Sequence, residues 1–211
     1  MVSYDAKRAL KAVESFQAAS EAIGILSPDM HLFAITRGQW GMLEALQHCM
    51  RQLSQVDISV WTWAIARYDA GMLANLKVSG NLRSALLILD EHMRNNYQRQ
   101  KNIPILDQWL ADFGERSVKY VKSHAKMATI TDGKLHFLLR GSMNLNHNPQ
   151  FENFDLTEGG EDYWLVKRIE DELPYLSREA SRKDVHIASK VNQAFDGANL
   201  SIFHDIKPWN R

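Results

Sequence analysis

The chain has 211 residues, 45% apolar and 24% charged, and its 25 basic residues balance 25 acidic ones. That is the make-up of a soluble globular protein of one domain, or one domain with an appendage, and it excludes a disordered, collagenous or low-complexity chain. The longest apolar run, Ile58 to Ala66, is far short of the roughly 20 residues a membrane span needs, and the lone Cys49 excludes an internal disulfide and a thiolate-built zinc site.

Taken in chain order, Leu10, Val13, Phe16, Ala19 and Ile23 recur at helical spacing and predict a helix over Ala6–Ile23, closed by the Gly24 to Asp29 turn region. No secretory signal is read at the N-terminus, and a reducing cytoplasm is the expected compartment. His31–Thr36 reads as a buried strand, Gln39–Leu53 as a helix, and Asp57–Ala66, rich in Ile, Val, Trp and Thr, as a strand. A helix over Ala70–Leu76, a Ser79-Gly80-Asn81 turn and a buried strand over Leu82–Asp90 follow. Pro104–Phe113 predicts a helix and Ser117–Val121 a short strand. Ser123–Thr131 and Lys134–Leu139 form a hairpin about Asp132-Gly133, a strong turn signal. Val166–Ala180 and Asp184–Ala194 read as helical or mixed, and Leu200–Arg211 as a packed tail. Strands alternating with helices and ending in a hairpin predict an α/β domain with a mixed sheet. Residues 1–29 are read as an added N-terminal helical extension, and residues 30–211 as the main domain with a helical C-terminal segment.

Neutral overall charge argues against a large non-specific nucleic-acid surface, but the charge is uneven. From Arg94 to Arg140 nine basic residues face four acids, Asp107, Asp112, Glu115 and Asp132, whereas Glu152 to Glu172 is acidic. One positive face is therefore expected. Trp40, Trp61, Trp63 and Trp109 read as core or dimer contacts, and Cys49 as a buried small hydrophobe. His136 and His147 lack the i, i+4 spacing that would make a metal site with His124, so no metal is expected.

The chemistry concentrates in one region. An extended strand puts His124 and Lys126 on one face, and the returning strand brings Gly141-Ser142-Met143-Asn144 beside them. Lysine neutralises the oxygens of a phosphodiester, serine and asparagine donate to them, and glycine admits close backbone approach. An imidazole attacks phosphorus or moves a proton near neutral pH.

His124-x-Lys126, an aspartate shortly after, and Gly141-Ser142-x-Asn144 together resemble the signature of the phospholipase D superfamily, in particular its small single-motif nucleases. The resemblance covers about Leu32 to Leu156. It implies a phospholipase D-like mixed sheet flanked by helices and a metal-independent, cofactor-free phosphodiesterase, most simply an endonuclease acting on DNA or RNA through a phosphohistidine. It further implies a homodimer in which two copies of His124 face one phosphate. Lys126 and Asn144 would hold the phosphoryl oxygens, Ser142 would support them, and Glu152 would orient the histidine. Gly141, Lys122 and Arg140 are the expected substrate contacts, and Asp132 matches the structural aspartate, although it falls one position late and Thr131 occupies the usual place. Two other readings stand beside this one: an inactive module that binds nucleic acid or protein through the same pocket, and a phospholipase or phosphatidyl transferase. The second is disfavoured because the chain carries one motif and no membrane segment is read.

Overall fold

The period-two alternation of apolar residues is realised as a single mixed sheet. The computed structural model describes residues 9–12, 18–90, 97–121, 123–146, 149–173 and 175, with the side chains of 9–12 and 97–103 left aside. Its strands are β1 (Ala9–Ala12), β2 (His31–Thr36), β3 (Val56–Thr62), β4 (Leu82–Asp90), β5 (Val118–Val121), β6 (Met127–Thr131), β7 (His136–Gly141) and β8 (Glu152–Glu158). They lie in the order β1-β2-β8-β7-β6-β3-β4-β5. The pairs β1–β2, β3–β4 and β4–β5 are parallel, and the remaining neighbours are antiparallel. The helices are α1 (Ala19–Ile23), α2 (Met42–Gln52), α3 (Arg67–Val78), α4 (Tyr97–Phe113) and α5 (Glu161–Glu172).

Alternation assigns each side chain to a layer. On one face Ile58 and Val60 of β3, Ala128 and Ile130 of β6, Phe137 and Leu139 of β7, and Phe154 and Leu156 of β8 are all buried, as are Met42, Leu46, Cys49 and Met50 of α2. α2 starts at Gly41, whose N–H donates to Glu44 Oε2 at 2.9 Å, so an acid in the first turn closes the helix start. On the opposite face α5 sends Glu170, 1% exposed, into the sheet. Its carboxylate accepts from Ser59 Oγ, from Trp61 Nε1 at 2.9 Å and from Lys167 Nζ at 2.5 Å. A charge this deep is tolerated because its oxygens have donors.

The α/β architecture with a mixed sheet agrees with the sequence reading, and β2 and β4 occupy the expected residues. Other elements differ. Within the expected helix over Ala6–Ile23 the described residues form α1 and the strand Ala9–Ala12, which pairs with Leu32–Ile35 of β2. The open edge of β2 supplies backbone partners that outweigh local helical periodicity. β8 was not read as a strand, because Glu152, Asp155 and Glu158 give it an acidic, loop-like composition. Its burial alternates all the same, with Glu152, Phe154 and Leu156 inside and Asn153 exposed. The strand read as Asp57–Ala66 stops at Thr62, and the one read as Ser123–Thr131 starts only at Met127. α4 begins at Tyr97 rather than at Pro104, which sits inside it. The expected helix over Val166–Ala180 appears as α5, ending at Glu172. The expected segments Asp184–Ala194 and Leu200–Arg211 lie outside the described residues.

Candidate active site

The site residues gather where β6 begins, β7 ends and β8 begins, beside the C-terminal end of β3. The hairpin register continues past its strands: Met127 pairs with Arg140, and Gly141 N–H donates to Lys126 O at 3.0 Å. The His-x-Lys segment and the Gly-Ser-x-Asn segment are thus neighbours across one ladder. Gly141 is required there by close approach, since a Cβ would lie 2.0 Å from Asn153 O. Ser142 is held to β8 on both sides: its N–H donates to Asn153 O and its Oγ accepts from Asn153 N–H, each at 3.0 Å. The same hydroxyl donates to Glu152, a buried carboxylate.

Trp63, the first residue beyond β3, joins the two halves. Its ring meets the His124 ring edge to face, 3.9 Å between centroids and 87° between planes. Its backbone N–H donates to Asn144 Oδ1 at 3.1 Å, and Thr62 Oγ1 lies 3.4 Å from the same oxygen. With Oδ1 so engaged, the Asn144 amide has its NH2 group to offer. Leu145 is anchored to the same strand end, with its N–H on Thr62 Oγ1 at 2.9 Å and its carbonyl accepting from Ala66 N–H at 3.0 Å. On the other side buried Asp90 accepts from Ser123 N–H at 2.8 Å, and Ser123 Oγ accepts from Ala125 N–H at 3.0 Å, which fixes the approach to His124. His124 itself is exposed, and Lys126, half-buried, donates to the His124 carbonyl at 3.1 Å. The arrangement presents an imidazole, an ammonium and a carboxamide on a rigid floor, with the backbone close beneath. Groups of this kind stabilise charge on a phosphoryl oxygen.

The other expected site residues lie differently. Glu152 is at the site, but the contact resolved for it there is with Ser142. Arg140 is one residue from Gly141 and so on the opposite face of β7, where its Nη1 donates to Asp162 Oδ2 of α5 at 2.6 Å. Asp132 stands at the far end of the hairpin, where Oδ1 accepts from Lys134 N–H and Leu135 N–H at 2.9 and 3.0 Å. The Leu135 N–H above all holds its carboxyl below the usual carboxylate range. Lys122 and His147 lie outside the described residues. Lys119, counted in the expected positive face, is 1% exposed and donates to the carbonyl of Glu170. Among the described residues no group of three or more His, Cys, Asp or Glu is placed to hold a metal ion.

Sequence reasoning missed Trp63 as a site residue. Trp40, Trp61 and Trp109 are buried, as a core reading expects, but Trp63 is half-buried against His124. The signal that marks it is position: it follows the last residue of a central strand, at the end where the motif residues return. Trp40 Nε1 and Asn146 Oδ1, close to this end of the sheet in sequence, are buried without hydrogen-bond partners among the described residues.

No protein-family model matches the chain, and no curated protein matches it. Among solved structures the chain is similar to a polyphosphate kinase from Porphyromonas gingivalis, with a TM-score of 0.50 and 14% identity over 70% of this chain and 27% of that one. It is also similar to a phosphatidylserine synthase from Haemophilus influenzae Rd KW20, with a TM-score of 0.49 and 14% identity over 80% of this chain and 45% of that one. The likeness to the kinase is one of fold, an α/β sheet with flanking helices, and the chain spans about a quarter of the kinase and less than half of the synthase.

Proposed function

We propose that the protein is a metal-independent phosphodiesterase of the nuclease type, acting on DNA or RNA as a homodimer. The observation that carries this reading is the meeting of the His124-x-Lys126 and Gly141-Ser142-x-Asn144 segments at one end of the sheet, where Trp63 touches His124 and Asn144. In the proposed reaction one His124 attacks phosphorus; a P–N bond forms as the bond to the leaving oxygen breaks. The His124 of the partner copy donates a proton to that oxygen and is left neutral. It then takes a proton from water, whose oxygen attacks phosphorus; the P–N bond breaks, releasing a phosphomonoester and the free imidazole. Lys126 and the Asn144 amide stabilise the charge on the non-bridging oxygens, and Ser142, fixed by Glu152 and Asn153, keeps the Gly141 backbone in place.

The test is cleavage of plasmid DNA and of a single-stranded RNA in excess EDTA. Wild-type protein is expected to cut and His124→Ala to lose at least a thousandfold in rate, with a radiolabelled phosphoprotein trapped by acid quench only when His124 is present. Retardation of nucleic acid without cleavage replaces this reading with a binding role. Release of a headgroup from phosphatidylcholine vesicles, with no cleavage of nucleic acid, replaces it with the lipid-directed one.

A further inference from the structure

Next to the motif residues, the loop after β2 and the turn before β8 form a second feature that catalysis at phosphorus does not use. Phe151, immediately before Glu152, is 67% exposed. The guanidinium of Arg37, immediately after β2, lies over its ring, 5.2 Å from the centroid. Arg37 is itself exposed and makes no ion pair with a carboxylate among the described residues.

The backbone around this pair is tightly fixed. Gly38 has φ +78°, and a Cβ there would lie 2.5 Å from the Pro149 backbone, so the two loops touch at a point that admits only glycine. Arg37 N–H donates to Gln39 Oε1 at 2.7 Å, and Thr36, from which Arg37 leaves, is paired with Glu152 in the sheet. An exposed aromatic ring bearing a cation, on a rigid base, has the composition of a platform for an unpaired nucleobase with its phosphate. From β6, which the His-x-Lys segment enters, Phe151 at the start of β8 is two strand spacings away, about 10 Å, and Arg37 at the end of β2 a third spacing further, the reach of a base on a nucleotide neighbouring the one being cut.

From this we infer that Phe151 and Arg37 form a nucleobase-stacking subsite that binds single-stranded nucleic acid beside the scissile phosphate. Phe151 takes the base on its exposed face, and Arg37 turns from the ring to the adjoining phosphate. The inference rests on the phosphodiesterase reading for its orientation, and it narrows the substrate class to strands with unstacked bases.

The experiment measures fluorescence anisotropy of a labelled single-stranded oligonucleotide in EDTA, with His124→Ala protein as the non-cleaving parent. A second strand of the same length carries abasic sites. Adding Phe151→Ala is expected to weaken binding of the ordinary strand by about tenfold and to leave the abasic strand unchanged, while Phe151→Tyr keeps the parent's affinity. Arg37→Ala is expected to weaken both strands and to flatten the salt dependence. Equal affinity of parent and Phe151→Ala for the ordinary strand overturns the subsite, as does a parent that binds neither strand. Light scattering on each variant closes the remaining route: a loss of affinity that coincides with loss of a dimer makes Phe151 an interface residue and also overturns it. Base-dependent binding by a wild type that does not cut sinks the catalytic reading and leaves the subsite standing. Cutting with no base-dependent loss does the reverse.

Discussion

At the scale of single residues, the contacts of Gly141 and Trp63 make the sharpest claims. A methyl group at position 141 collides with the carbonyl of Asn153, and the ladder beneath the motif has to open to admit it. Gly141→Ala is expected to cost about 1–3 kcal/mol in urea denaturation and to displace Ser142 from Glu152. Trp63 acts through His124 and Asn144, so it is a positioning residue. Trp63→Leu is expected to lower kcat on the order of 10–100-fold with KM little changed, and Trp63→Phe to recover most of it. The ring-current shift of the His124 Cε1 proton in NMR spectra, lost in Trp63→Leu and kept in Trp63→Phe at an unchanged urea midpoint, separates positioning from a fold defect. Cys49 sits on the core face of α2, and burial pushes its thiol up from 9.0 to about 12. It is expected to resist thiol reagents at pH 8 until the protein is denatured.

At the scale of elements, the hairpin shows how far sequence carries and where it stops. Asp132-Gly133 announces the turn, and the alternation in Ala128, Ile130, Phe137 and Leu139 fixes both strands to one core. The register that follows brings Lys126 to Gly141, so the meeting of the two motif segments was legible before any coordinates. Glu152 was legible only through its place after the motif. The strand that bears it carries three acids, Glu152, Asp155 and Glu158, and its partner β2 is more than a hundred residues away, so local composition points the wrong way. The helical stripe from Leu10 to Ile23 failed for the converse reason, because a strand edge more than twenty residues away captured Ala9–Ala12. Long-range pairing decided both cases, and no window of neighbouring residues contains it. The same logic applies to α5, which is fixed to the sheet by Glu170. Glu170→Ala leaves Ser59 Oγ and Trp61 Nε1 buried without that acceptor, and a loss of roughly 3 kcal/mol is expected in thermal or chemical unfolding. Glu170→Gln keeps one oxygen for those donors and is expected to lose less.

At the scale of the whole molecule, folding and ionisation are linked. The Cys49 thiol is neutral in the folded protein up to about pH 12, whereas in the unfolded chain it ionises from pH 9. Its raised folded value means that stability is complete below pH 9 and is lost as pH rises toward 12, because the unfolded state releases the proton first. The stability advantage of wild type over Cys49→Ala is expected to narrow by up to about 1.4 kcal/mol per pH unit in that window, measured by urea unfolding at successive pH values. Tyr163, pushed up to about 12 by burial, adds to the alkaline loss in both proteins.

The sheet also has two ends, and they are finished differently. On one side β1 covers β2. On the other, β5 is the last strand among the described residues, and Lys119 there pairs with Tyr175 in an isolated antiparallel bridge. Val118, Tyr120 and Val121 are buried there, and Lys119, buried with them, points its ammonium inward to the end of α5, an inward-facing charge of the kind that disfavours pairing with another chain. In a stacked, fibrillar assembly seeded on this strand before α5 has docked, that ammonium would be buried without its carbonyl acceptor. Replacing Lys119 with valine removes that inward charge, and a rise in turbidity and thioflavin fluorescence over wild type during refolding is the expected outcome.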